Sequence, residues 1–159
     1  MIIKIKGLID EDFINYKKPS MFIAFPHCTF KCEKDCGVCC CQNSDLAKQE
    51  DIEVDTVEIA QRYVKNDLTS AIVVGGMEPF DDVACLYDLV YMLRRVTDDD
   101  IVIYTGYNEH EIQLMTDAIT ALGNITIKYG RFVPNCESHY DDVLGVKLAS
   151  PNQYAKHYA

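Results

Sequence analysis

No stretch of this sequence approaches the ~20 consecutive apolar residues that a membrane-spanning helix requires. The opening residues MIIKIKG lack the long apolar segment of a secretory signal, and a cytoplasmic location is expected. Positive charge is scarce: 15 Lys and Arg stand against 25 Asp and Glu, a net charge of −10. That balance argues against a general nucleic-acid binder, which needs a basic footprint. It suits a partner with a basic docking surface, although solvated acidic faces are the commoner explanation. Internal repeats, low-complexity tracts and dividing linkers are also absent, so residues 1–159 read as a single domain, long enough to bury a core. The four histidines, His27, His110, His139 and His157, share no metal-ligand spacing and receive no catalytic role.

What the chain does have is cysteine, unevenly placed. Six of its eight cysteines fall within fourteen residues: Cys28, Cys32, Cys36, Cys39, Cys40 and Cys41. A disulfide framework spreads its cysteines to staple distant loops, and three adjacent ones serve that poorly. Thiols crowded into one loop point instead to a metal or iron–sulfur site and a reducing setting. Cys85 lies beside an apolar helical stripe as a small core residue, and Cys136 sits in a polar loop as a free thiol.

Apolar patterning predicts strands over 2–6, 20–25, 71–74, 101–105 and 125–129, the middle three as runs buried on both faces. Three helical patterns lie between them. The first starts at Asp55 with Glu58 as a capping-box pair and runs to about Asn66. The second sets Val83, Leu86, Val90 and Leu93 on one face. The third starts at Asn108 with Glu111, continues through Ile112, Met115, Ile119 and Leu122, and closes at Gly123. Strand–helix alternation predicts an α/β fold with a mostly parallel sheet, open or closed only into a partial (β/α) barrel. Ligands sit beyond the carboxyl ends of such strands. The cysteine loop, the turn Gly75-Gly76-Met77-Glu78 and the turn Thr105-Gly106-Tyr107 therefore converge on that C-terminal rim.

At this point the chain resembles a small radical S-adenosylmethionine protein, in particular the activating-protein (activase) family of anaerobic ribonucleoside-triphosphate reductase. That family carries C-x-x-x-C-x-x-C followed by an aromatic or polar residue and Asn. Cys28 and Cys32 match its first two cysteines, and Cys41, followed by Gln42-Asn43, matches its third. Gly75-Gly76-Met77-Glu78-Pro79 is similar to the family's Gly-Gly-Glu-Pro, and Ile103 to Tyr107 to its strand ending in Thr-Gly-Tyr. Gly130-Arg131-Phe132-Val133 and Ser150-Pro151-Asn152-Gln153 resemble two later segments, so the likeness spans about residues 14–153. It implies a [4Fe–4S] cluster on Cys28, Cys32 and Cys41 with one iron free of protein. It further implies S-adenosylmethionine at that iron, with Gly75, Gly76, Glu78, Asn43 and Thr105 as cofactor-binding residues. The implied partners are a one-electron donor and a glycyl radical enzyme, the large subunit of anaerobic ribonucleotide reductase. Its glycine would lose hydrogen to a 5′-deoxyadenosyl radical; no side chain of this chain is implied as catalytic.

The sequence departs from the pattern at named points. Eight residues separate Cys32 from Cys41 where the family has two, Cys36 competes as third ligand, and Met77 interrupts Gly-Gly-Glu. Plainer readings stand beside the sharper ones. The thiols could form a zinc loop, Gly75-Gly76 a simple tight turn, Glu78 a helix-start acid and Asn43 a capping residue. Cys39 and Cys40 read as bystanders, and Asp98-Asp99-Asp100 as a solvated turn. Two other functions remain open: a radical enzyme acting on a small molecule, and a non-catalytic iron–sulfur protein that carries electrons or regulates.

Overall fold

The chain runs through β1 (Ile2–Ile5), β2 (Gly7–Asp12) and β3 (Ser20–Phe25), then the short helices α1 (Lys31–Cys36) and α2 (Ser44–Ala47). Next come β4 (Ile52–Asp55), α3 (Thr56–Val64), β5 (Ala71–Gly76), α4 (Val83–Arg94) and β6 (Asp100–Tyr104). It ends with α5 (Gln113–Thr120), β7 (Ile125–Tyr129), the pair β8 (His139–Asp141) and β9 (Val146–Leu148), and β10 (Tyr154–Tyr158). This computed structural model describes residues 1–38, 41 and 43–159. Cys39 and Cys40, expected to be bystanders, lie outside the described residues, as does Gln42.

Six strands form one sheet in the order β10-β7-β6-β5-β3-β2, parallel across the central four and antiparallel at both edges. The α/β class and the mostly parallel sheet are as expected. The sheet keeps two free edges and does not close into a barrel. Side chains alternate between its faces, as the two-residue strand period requires. Ile72, Val74, Ile101 and Ile103 pack with Ile59 and Tyr63 of α3, Leu86 and Leu93 of α4, and Ile119 of α5. Ala71, Val73 and Val102 meet Tyr16, Leu144 and Leu148 on the other face. The helices thus cover one side, while the segment after β2 and the β8–β9 pair cover the other.

The predicted strand at 2–6 exists but lies outside the main sheet, paired antiparallel with β4. Helix α3 starts where predicted, with the Asp55 carboxylate accepting from Val57 N–H at 2.9 Å. The third pattern opens as a turn of 3-10 helix over Glu109–Glu111, with Glu111 accepting from Asn108 N–H at 2.7 Å, before α5 begins. The acid run at 98–100 is more than a solvated turn: Asp99 accepts from the Tyr63 hydroxyl at 2.5 Å and Asp100 from the Tyr16 hydroxyl at 2.8 Å. Among the described residues, no helix is long and apolar enough to cross a membrane.

Candidate functional site

The parallel pairing of β3 with β5 continues past the strands' ends. Met77 N–H donates to Phe25 carbonyl at 3.1 Å, and Glu78 N–H to His27 carbonyl at 2.7 Å. These bonds lay the start of the cysteine loop against the glycine turn. Cys28 follows directly, its sulfur accepting from Phe30 N–H at 3.2 Å. Phe30 takes φ 54°, a left-handed conformation that L-residues adopt at a cost of roughly 1–2 kcal/mol. The chain there reverses into α1, which presents Cys32 to the same rim. Glu33 of α1 accepts from Cys41 N–H at 3.2 Å, and Asn43 donates its side-chain amide to the Gly76 carbonyl at 2.7 Å. The two bonds return the third cysteine to the glycine turn.

The result is a cavity of about 260 Å³ whose wall includes Cys28, Cys32 and Cys41. Asn43, Gly75, Gly76, Glu78 and Thr105 line it too, so every site residue picked from the sequence meets in one place. Cys36 stands apart. It lines a neighbouring cavity of about 250 Å³ with Cys32 and Arg131 and donates its thiol to the Val38 carbonyl at 3.4 Å. Cys85 packs against the helix-side core, and Cys136 is exposed, both as expected.

Glu78 is 6% exposed. Its carboxylate accepts from Thr105 Oγ1 at 2.8 Å, Gly106 N–H at 2.8 Å and Phe80 N–H at 3.1 Å. Burial still pushes its carboxyl up to about 7, against the pull of those donors. Asp81 braces the rim from outside, accepting from Thr29 N–H at 2.9 Å and from the Tyr107 hydroxyl. Arg131 does so from the far side, holding Asp35 of α1 at 2.8 Å and Glu111 at 2.7 Å. Burial also raises the thiols, Cys28 to about 11 and Cys32 in the same direction, so loading a metal must displace their protons.

Three cavity residues escape motif reasoning: Asn15, Phe22 and Lys128. Lys128 is 8% exposed, and its ammonium donates to the Gly130 carbonyl at 3.0 Å and the Thr105 carbonyl at 3.4 Å. Burial pulls it down to about 8, with Glu78 and Cys32 pulling the other way. A signal was present: a charge inside Ile125-Thr126-Ile127-Lys128-Tyr129, a strand otherwise suited to burial on both faces. Phe22 and Asn15 left none, because the turn and crossover that bring them to the cavity are tertiary.

Among the described residues, no three His, Cys, Asp or Glu side chains are gathered tightly enough to hold a single metal ion. The thiols instead share a cavity wall. Compared with known families, residues 20–152 match the model described as a 4Fe-4S single cluster domain. A comparison with curated proteins finds no match.

Proposed function

We propose that this chain, which belongs to the family of 4Fe-4S single cluster domains, is a radical S-adenosylmethionine activase with its cluster on Cys28, Cys32 and Cys41. The observation that carries this reading is the single cavity shared by three thiols, the glycine turn, a buried carboxyl group at Glu78 and a buried lysine at Lys128. The donor set fits. A tetrahedral ion at ~2.3 Å from each sulfur draws its thiolates together, whereas a cubane takes each on a different iron and spreads them. Gly106 lies between two wall groups: a Cβ there would make ordinary van der Waals contact with Cys32 Sγ at 3.8 Å and Glu78 Oε2 at 3.6 Å.

A cluster held by Cys28, Cys32 and Cys41 would supply one-electron reduction, and the cofactor beside it would supply hydrogen abstraction from a glycine. The chain's own residues bind and orient. The Gly75-Gly76 turn would receive the cofactor's ammonium, with Glu78 behind it, while the Gly76 carbonyl also holds Asn43. Lys128 offers positive charge to its carboxylate, and Phe22, Tyr104 and Phe132 exclude water from the wall. About 260 Å³ falls below the usual span of ligand sites, ~300 to 1,000 Å³. Cluster and cofactor leave little of it for a small substrate. A protein loop that covers the rim is the natural substrate, and we assign it to a glycyl radical enzyme, the large subunit of anaerobic ribonucleotide reductase, served by a separate one-electron donor. One observation favours a second reading, a non-catalytic iron–sulfur protein: Glu78 already satisfies three donors of its own chain.

The test mixes anaerobically reduced protein, S-adenosylmethionine and the candidate reductase. A glycyl-radical doublet in the paramagnetic resonance spectrum and release of 5′-deoxyadenosine are expected. Glu78→Ala should weaken cofactor binding at least several-fold while retaining iron. Iron-loaded protein whose reduced-cluster signal ignores saturating cofactor would replace this reading with the electron-transfer one.

A further inference from the structure

A lysine is almost never fully buried unless it is paired, yet Lys128 is 8% exposed on the wall that also holds Cys32. Among the described residues, its hydrogen-bond acceptors are the backbone carbonyls of Thr105 and Gly130, not carboxylates. The nearest acid on that wall, Glu78, has its oxygens taken up by Thr105, Gly106 and Phe80. The ammonium is therefore held in place by dipoles and keeps its charge available to the cavity. Its acceptor Thr105 precedes Gly106, where an added Cβ would lie 3.8 Å from the Cys32 sulfur. The Tyr104 ring, 5.9 Å away, shields it further.

We infer that Lys128 sets the reduction potential of the cluster, favouring its one-electron-reduced form. This rests on the proposed cluster position at Cys28, Cys32 and Cys41. Reduction takes one electron from an external donor and adds one negative charge at the cavity wall, with no bond made or broken there. A fixed cation close by in a low-dielectric wall stabilises the form with more negative charge. Glu78 acts in the opposite sense, and Arg131, which borders a small cleft with Cys28 and Cys32, is neutralised by Asp35 and Glu111.

Wild type, Lys128→Met and Lys128→Arg are purified without oxygen, their iron and sulfide counted, and the reduced-cluster resonance titrated against potential. Lys128→Met should retain its iron and shift the midpoint downward by roughly tenfold or more in the one-electron equilibrium, about 59 mV. Lys128→Arg should return most of the shift. A fully loaded Met variant with an unchanged midpoint overturns the proposal. An Arg variant displaced as far as Met does so too, because packing rather than charge would then be responsible. Should the Met variant not assemble a cluster, Lys128→Gln, which can still donate to both carbonyls, is titrated in its place under the same criteria. Wild type that holds no iron overturns the cluster position itself, and this inference with it.

Discussion

At Gly76 a Cβ would stand 2.7 Å from Ala24 Cα, on a backbone with φ 89°, and both demands are met by glycine alone. Gly76→Ala should cost the apoprotein roughly 2 kcal/mol or more, since left-handed strain and a backbone clash add. Urea unfolding of the apoprotein checks this, and an unchanged midpoint would contradict it. The same residue shows how far motif reasoning reaches. The glycine pair, Glu78 and the three cysteines were legible because each is an unusual residue at an unusual spacing. What Glu78 does was not legible: its oxygens tie β5's turn to Thr105 and Gly106, a contact across 28 residues of sequence. Lys128 carried a signal, a charge in an apolar strand, without saying which cavity it faces.

Among elements, α1 is the least self-sufficient. Six residues are far fewer than the ~12–15 that an isolated helix needs even to be marginal, so tertiary contacts must hold it. One is Arg131, its side chain 12% exposed, reaching Asp35 from the segment after β7, and another is the Cys41 N–H donating to Glu33. Arg131→Gln should speed amide hydrogen exchange over residues 31–36 by about tenfold, leaving β5 and β6 protected to the same degree as before. Equal protection of α1 in both proteins would show that the ion pair does not restrain it. Elements buried on both faces were readable from their apolar runs, which is why β3, β5, β6 and β7 lie where expected. The edges were not. β2 reads Gly-Leu-Ile-Asp-Glu-Asp and β10 Tyr-Ala-Lys-His-Tyr, each open to solvent along one side and so free of a continuous apolar pattern. The partner of β1 was equally hidden, because pairing with β4 is a choice among strands rather than a property of either.

For the molecule as a whole, an open parallel sheet brings separate turns to one rim, and helices and the β8–β9 pair seal its two faces. The rim is left as the place where chemistry and a partner can meet, on a chain of net charge −10. On the proposed function, this rim carries one [4Fe–4S] cluster on Cys28, Cys32 and Cys41. That assignment is tested most directly by iron and sulfide analysis of oxygen-free protein and its single Cys→Ser variants. Four irons per chain are expected in the wild type, in keeping with its family. Loss of the cluster is expected in Cys28→Ser, Cys32→Ser and Cys41→Ser, and retention in Cys36→Ser, Cys85→Ser and Cys136→Ser. Stoichiometric zinc in the wild type would contradict the assignment, as would a cluster that survives Cys41→Ser and disappears with Cys36→Ser.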